Sequence, residues 1–230
     1  MINEKLHELY MQYYGNDYDK KIIPCGVVDE DVYFTLRPRI VFILKEPHTS
    51  RTGWTIPGGL KRNADRGDSG FEKGYAYTWN QAGVWAYAIH HGFKSYQELC
   101  SPLLIAEGVR AIGMTNLKKT GGGVAAFPEQ IKNCARSDAS LWRQELELMD
   151  PELIICGRTY SHVVSNLMLK SEKLLEDKGK PYYCARWEIN GHEAVILQFW
   201  HPACRKNRTE LLELLQRLIQ RMKEGGMTWE

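Results

Sequence analysis

Five consecutive apolar residues, Ile40-Val41-Phe42-Ile43-Leu44, stand between Arg39 and Lys45. A run of strand length without alternation suits a strand buried on both faces, and such strands belong to parallel sheets covered by helices. Similar segments recur. Strands are predicted over 39–44, 108–115, 153–156, 182–189 and 193–200. The last two flank Asn190-Gly191, a dipeptide suited to a two-residue hairpin. Helices are predicted over 1–14, 82–91 (closed by Gly92), 128–149 (opened by Pro128 and closed by Asp150-Pro151) and 158–169. A last one is predicted over 209–223, with Leu211, Leu215, Leu218 and Met222 on one face. Strands alternating with helices imply an α/β fold, three layers α/β/α with a mainly parallel central sheet.

No repeat or linker divides the 230 residues, so a single domain over 1–230 is expected. One stretch is poor in apolar residues: 49–74, with six glycines, reads as a long loop insertion or small subdomain. The net charge of +2 excludes a basic coat, so any nucleic-acid contact must be a local patch. No run approaches the roughly 18 apolar residues of a membrane helix. The opening MINEKLHELYMQYYG mixes charged and apolar residues, unlike a signal peptide, and a cytoplasmic location is expected. The six cysteines form no C-x-x-C pair, which argues against a zinc ribbon or a thioredoxin-type site and for reduced, mostly buried thiols.

In an open parallel sheet, ligands sit beyond the carboxyl ends of the strands. The residues just past each predicted strand are therefore informative. After the first comes Lys45-Glu46-Pro47-His48, and after the second Asn116-Leu117-Lys118-Lys119-Thr120 with Gly121, Gly122 and Gly123. After the third comes Gly157-Arg158-Thr159, and after the last His201-Pro202 with Arg205, Lys206 and Arg208. An acid, an amide, a histidine and several cations are thus expected along one edge.

This ordered set resembles the uracil-DNA glycosylase superfamily. IVFILKEPH is similar to its first motif, AGVWAYAIHHGF to its helix opened by Ala-Gly, and MTNLKK to its strand ending in asparagine. DPELIICGR and WHPACRKNR are similar to its proline-strand-glycine segment and its His-Pro motif. Order and spacing match over about residues 40–208. The resemblance implies a uracil-DNA-glycosylase-like fold and a monofunctional hydrolase that flips a nucleotide from the stack and cleaves its N-glycosidic bond.

On that resemblance, Glu46 orients water and stabilises a cation-like sugar, and His201 donates to a base oxygen. Asn116 reads the base edge, since an amide donates and accepts at once. An aromatic platform is expected among Trp54, Tyr75, Tyr77 and Trp79, with His48 beside it. Lys118, Lys119, Arg158, Arg205, Lys206 and Arg208 are candidate phosphate contacts. DNA is the expected partner, and a monomer is expected.

Two departures matter. Cys134 falls near one position of an iron–sulfur ligand set found in some families, but Thr120 stands near another and no C-x-x-C surrounds Cys25, so no cofactor is expected. The first motif carries Leu44-Lys45 where glycine usually opens it, and the 49–74 segment is long, which points to a modified or bulky pyrimidine rather than plain uracil. Two rival functions remain: a non-catalytic nucleic-acid-binding module on the same fold, and a hydrolase of free nucleosides. A metal site of Glu46, His48, His90 and His91 is disfavoured, because adjacent His90 and His91 point to different sides of a helix.

Overall fold

The computed structural model describes residues 1–49, 51–67, 71, 77–122, 126–227 and 229. Tyr75, Gly123 and part of the glycine-rich stretch therefore lie outside the described residues.

Seven strands form one mixed sheet in the order β1-β3-β2-β4-β7-β6-β5. They are β1 (Gly26–Val27), β2 (Ile40–Leu44), β3 (Ile112–Asn116), β4 (Leu153–Gly157), β5 (Ser171–Asp177), β6 (Lys180–Ile189) and β7 (His192–Phe199). The centre, β3-β2-β4-β7, is parallel. Pairing of β1 with β3, β6 with β7 and β5 with β6 is antiparallel. The chain is thus an α/β protein with a parallel core and antiparallel edges.

All five residues of β2 are buried. Alternate positions along the strands enter different cores: Ile40, Phe42 and Leu44 face one, Val41 and Ile43 the other. Helices cover both faces. Ile56–Asp65, Tyr77–His91, Pro102–Arg110 and Arg208–Glu224 pack on the first. Ile2–Tyr14, Pro128–Ser137, Ala139–Met149 and Tyr160–Asn166 pack on the second. No described helix is long and apolar enough to cross a membrane.

Several expected boundaries are corrected. The strand predicted over 108–115 begins only at Ile112, because residues 108–110 close the Pro102–Arg110 helix. A Cβ on Gly108 would fall 2.1 Å from the Gly83 carbonyl oxygen, so Gly108 serves close helix crossing rather than a strand. The single helix expected over 128–149 is two, broken at Asp138. The helix expected over 158–169 spans only Tyr160–Asn166, since Arg158 (φ 62°) and Met168 (φ 54°) are left-handed. The Asn190-Gly191 turn forms as expected, with φ of 49° and 81°.

The expected 49–74 loop contains the Ile56–Asp65 helix, capped by the Thr55 side chain accepting from the Gly58 N–H at 3.0 Å. Edge strand β5 was not expected. Its sequence, SEKLLED, is mostly exposed and charged, as suits an edge that must not pair with another chain.

The connections set the site. After β2 the chain passes over the first face; after β3 it passes over the second. Neighbouring parallel strands whose connections diverge leave a crevice between their carboxyl ends. Pairing continues past the strands, with Leu117 N–H donating to the Leu44 carbonyl (3.0 Å) and Lys118 N–H to the Lys45 carbonyl (2.9 Å). That crevice therefore faces Glu46 toward Lys118.

Candidate functional site

A cleft of about 1090 Å³ opens at these strand ends. Lys45, Glu46, His48, Asn116 and His201 line it, together with Trp54, Tyr77 and Trp79. Because β2, β3, β4 and β7 run parallel, the segments after them reach the same edge, as their sequence positions implied.

Glu46 is held tightly. Its carboxylate pairs with Lys118 Nζ at 2.6 Å, and the two side chains are 7% and 8% exposed. Lys118 also donates to the Gly121 carbonyl at 3.3 Å. Gly122 presses against the carboxylate: a Cβ there would lie 2.0 Å from Glu46 Cδ. Gly122 thus serves close approach of the backbone to an acid.

His201 lies directly after β7 and is mostly buried. Its Nδ1 accepts from the Ala203 N–H at 3.0 Å, so the neutral ring carries its proton on Nε2. Burial, then the charges of Lys45 and Arg158, push its pKa down to about 4. The imidazole is therefore neutral at pH 7 and its Nε2–H is a donor. Gly157 allows this turn to close, since a Cβ there would meet Leu44 Cδ2 at 2.6 Å and the His201 Cα at 3.4 Å.

Asn116, at the end of β3, is 2% exposed. Its Nδ2 donates to Cys25 Sγ at 3.6 Å. Burial raises the Cys25 thiol to about 11, leaving it a neutral acceptor. The Asn116 Oδ1 has no partner among the described residues. A buried acceptor without a donor costs about 1–3 kcal/mol. In a cleft wall, that oxygen suits a ligand N–H.

The aromatic residues differ in what holds them. Trp54 donates to the Arg51 carbonyl at 2.9 Å, and its ring lies on Gly59, where a Cβ would come within 3.1 Å. Arg208 stacks over Tyr77 at 4.4 Å and donates to the Tyr96 hydroxyl at 3.1 Å. Trp79 packs partly into the first core. His48 is exposed on the cleft rim.

The expected phosphate contacts separate. Lys119 is 1% exposed; its ammonium pairs with Glu145 and donates to Thr115 Oγ1 at 2.6 Å, on the opposite face of the sheet. Phosphate contact there is corrected to a buried internal ion pair, because successive residues along an extended chain alternate faces. Lys118 is likewise corrected: its charge is taken up by Glu46. Arg158 and Lys206 do reach the surface, where they meet over the Trp200 ring at 5.0 and 4.3 Å. Lys180 approaches the same ring at 5.7 Å. Arg205 is exposed beside them.

Sequence reasoning did not nominate Lys45, Arg51, Arg62 or Arg66 as site residues, yet all line the cleft. A signal was present: Ile56, Leu60 and Ala64 recur every fourth residue after a capping Thr55, with Pro57 in the first turn. His90 and His91 lie elsewhere, His90 against the Pro38 carbonyl at 2.9 Å and His91 against Glu107 at 3.5 Å. Among the described residues no group of three or more His, Cys, Asp or Glu could hold a metal.

No protein-family model matches the chain, and no curated protein matches it.

Proposed function

We propose that this chain is a monofunctional DNA glycosylase with a uracil-DNA-glycosylase-like fold, acting on a flipped-out pyrimidine that is uracil-like, damaged or modified. One observation carries this reading. A neutral His201 with its Nε2–H left to donate shares a cleft with an Asn116 oxygen that lacks a donor. A pyrimidine edge offers both complements, a carbonyl oxygen and a ring N–H.

The chemistry is governed by charge. As the C1′–N bond breaks, its electron pair goes to the base and the sugar becomes cation-like. Negative charge collects on the base oxygens. His201, kept neutral by burial and then by Lys45 and Arg158, donates to that oxygen without transferring its proton, and the same two cations make the potential more positive where the anion forms. Glu46 lies on the opposite charge demand. Its carboxylate faces the sugar, and accepts a proton from the water whose oxygen bonds to C1′. Lys118 and Gly122 hold it in place. The base leaves as an anion and is protonated by solvent.

The 1090 Å³ cleft sits at the upper end of small-ligand sites, so a base enlarged by a substituent fits the reading. Both repair and defence against modified foreign DNA would use this reaction. The test is a panel of oligonucleotides carrying uracil, damaged pyrimidines and hypermodified cytosines, scored for alkali-labile abasic sites. Product with wild type and its loss in Glu46→Gln supports the proposal. Base release from free nucleosides, with none from any oligonucleotide, would replace it with a nucleoside hydrolase. Efficient cleavage of uracil alone would remove the modified-base specificity.

A further inference from the structure

We propose that the wall formed by Arg51 and the Ile56–Asp65 helix holds phosphodiesters of the strand that delivers the base, so that Arg51 and Arg62 are strand-binding residues. This rests on the reading of the base as part of a nucleic-acid strand.

The wall is built, not incidental. Gly53 N–H donates to the Asp19 carbonyl at 2.8 Å and Ile56 N–H to the Pro24 carbonyl at 3.1 Å. Ile56, Leu60 and Ala64 anchor the helix in the core. That leaves Gly59, Arg62 and Asn63 on the cleft side, with Arg66 just beyond the helix end.

Charge is sorted across this helix. On the side away from the cleft, Lys61 pairs with Asp29, and Arg110 pairs with Asp29 at 3.2 Å and Asp65 at 2.5 Å. The cleft side receives the arginines and no acid of the helix. Among the described residues, Arg51 and Arg62 form no ion pair, and the cleft's one carboxylate, Glu46, is already paired with Lys118. Lys45, Arg51 and Arg62 therefore bring positive charge to the cleft in a chain whose net charge is only +2. Concentrated positive charge in a nearly neutral chain is the footprint of an anionic ligand.

Position selects a strand over a single anion. The helix packs near β1, at one end of the parallel set, whereas His201 lies after β7 at the other. Arg158, Lys206 and Arg205 lie on the His201 side. Cations thus flank the cleft on both sides, with Glu46 and Asn116 between them, as an extended chain of phosphates bearing one inserted base requires.

Fluorescence anisotropy with an unmodified, labelled single-stranded oligonucleotide tests this without any cleavage. Each neutralised phosphate contact contributes about 0.7 to the slope of log K against log salt for single strands. Arg51→Gln/Arg62→Gln is expected to lower that slope by about 1.4 with its melting temperature unchanged, since both side chains are exposed. Arg62→Lys should keep the wild-type slope, and Arg143→Gln, on a remote exposed helix face, should leave it unaltered. An unchanged slope in the double variant overturns the proposal, as does binding of a nucleoside 5′-monophosphate as tight as that of the oligonucleotide. Loss of slope in a protein that excises no base would sustain this wall while sinking the glycosylase.

Discussion

Lys118 Nζ lies 2.6 Å from the Glu46 carboxylate, and both side chains are almost out of solvent. Removing one partner of such a pair leaves an uncompensated buried charge, at about 3–5 kcal/mol. Lys118→Met should therefore destabilise by about 3 kcal/mol in urea unfolding. Glu46→Gln/Lys118→Met should recover much of that loss. On the proposed reaction, Lys118→Met lowers kcat more than it raises KM, and Lys118→Arg restores part of kcat. Additive stability effects in this cycle would show that the pair carries no coupling.

Asn116 carries a buried oxygen with no donor, so the fold gains little from it. Asn116→Ala should change stability by less than about 1 kcal/mol, since the loss of packing is offset by removal of an unsatisfied group. Activity on the best substrate should fall by about 100-fold, the scale of one lost hydrogen bond that leaves a base N–H unpaired, about 3 kcal/mol. A large fall in melting temperature with activity per folded molecule intact would make Asn116 a structural residue.

His201 is neutral in the folded protein down to about pH 4, against 6.5 in an ordinary histidine. Long-range proton–nitrogen correlation spectra should show the Nε2–H tautomer at pH 7 and a midpoint near 4. The stability effect has a definite sign. As pH falls below 6.5, the unfolded chain takes up a proton that the folded chain refuses, so stability is lost between 6.5 and about 4 and is complete above 6.5. His201→Gln should flatten melting temperature against pH in that window. A midpoint near 6.5 in the native protein would contradict the burial and the two cations held responsible.

Lys119 provides the contrast with the arginine wall. Its ammonium is buried against Glu145, to which the Tyr10 hydroxyl also donates. Lys119→Met should cost about 3–5 kcal/mol and leave the salt slope of oligonucleotide binding unchanged. A variant that folds normally but binds with a reduced slope would return Lys119 to the phosphate contacts.

Parts of the molecule were legible because their causes are local. The run Ile40–Leu44 has no polar residue to face water, so it had to be a strand covered on both sides. Asn190 and Gly191 both accept positive φ, which is what a two-residue hairpin needs. The helical fate of Gly108 was not legible, because it depends on what packs against it: Gly83 meets Gly108 from another helix.

The candidate site divides along the same line. The sequence alone determined that Glu46, Asn116 and His201 end parallel strands, because strand direction carries all those ends to one edge. Only the tertiary structure decided which neighbours face the cleft. Lys118 meets Glu46 while Lys119, one residue on, enters the opposite core; alternation along the extended chain separates the two, and the pairing of β3 with β2 sets which of them meets Glu46. It also brought the arginines of 51–66 to the cleft, since helical amphipathicity states that a face is polar but not what that face will meet.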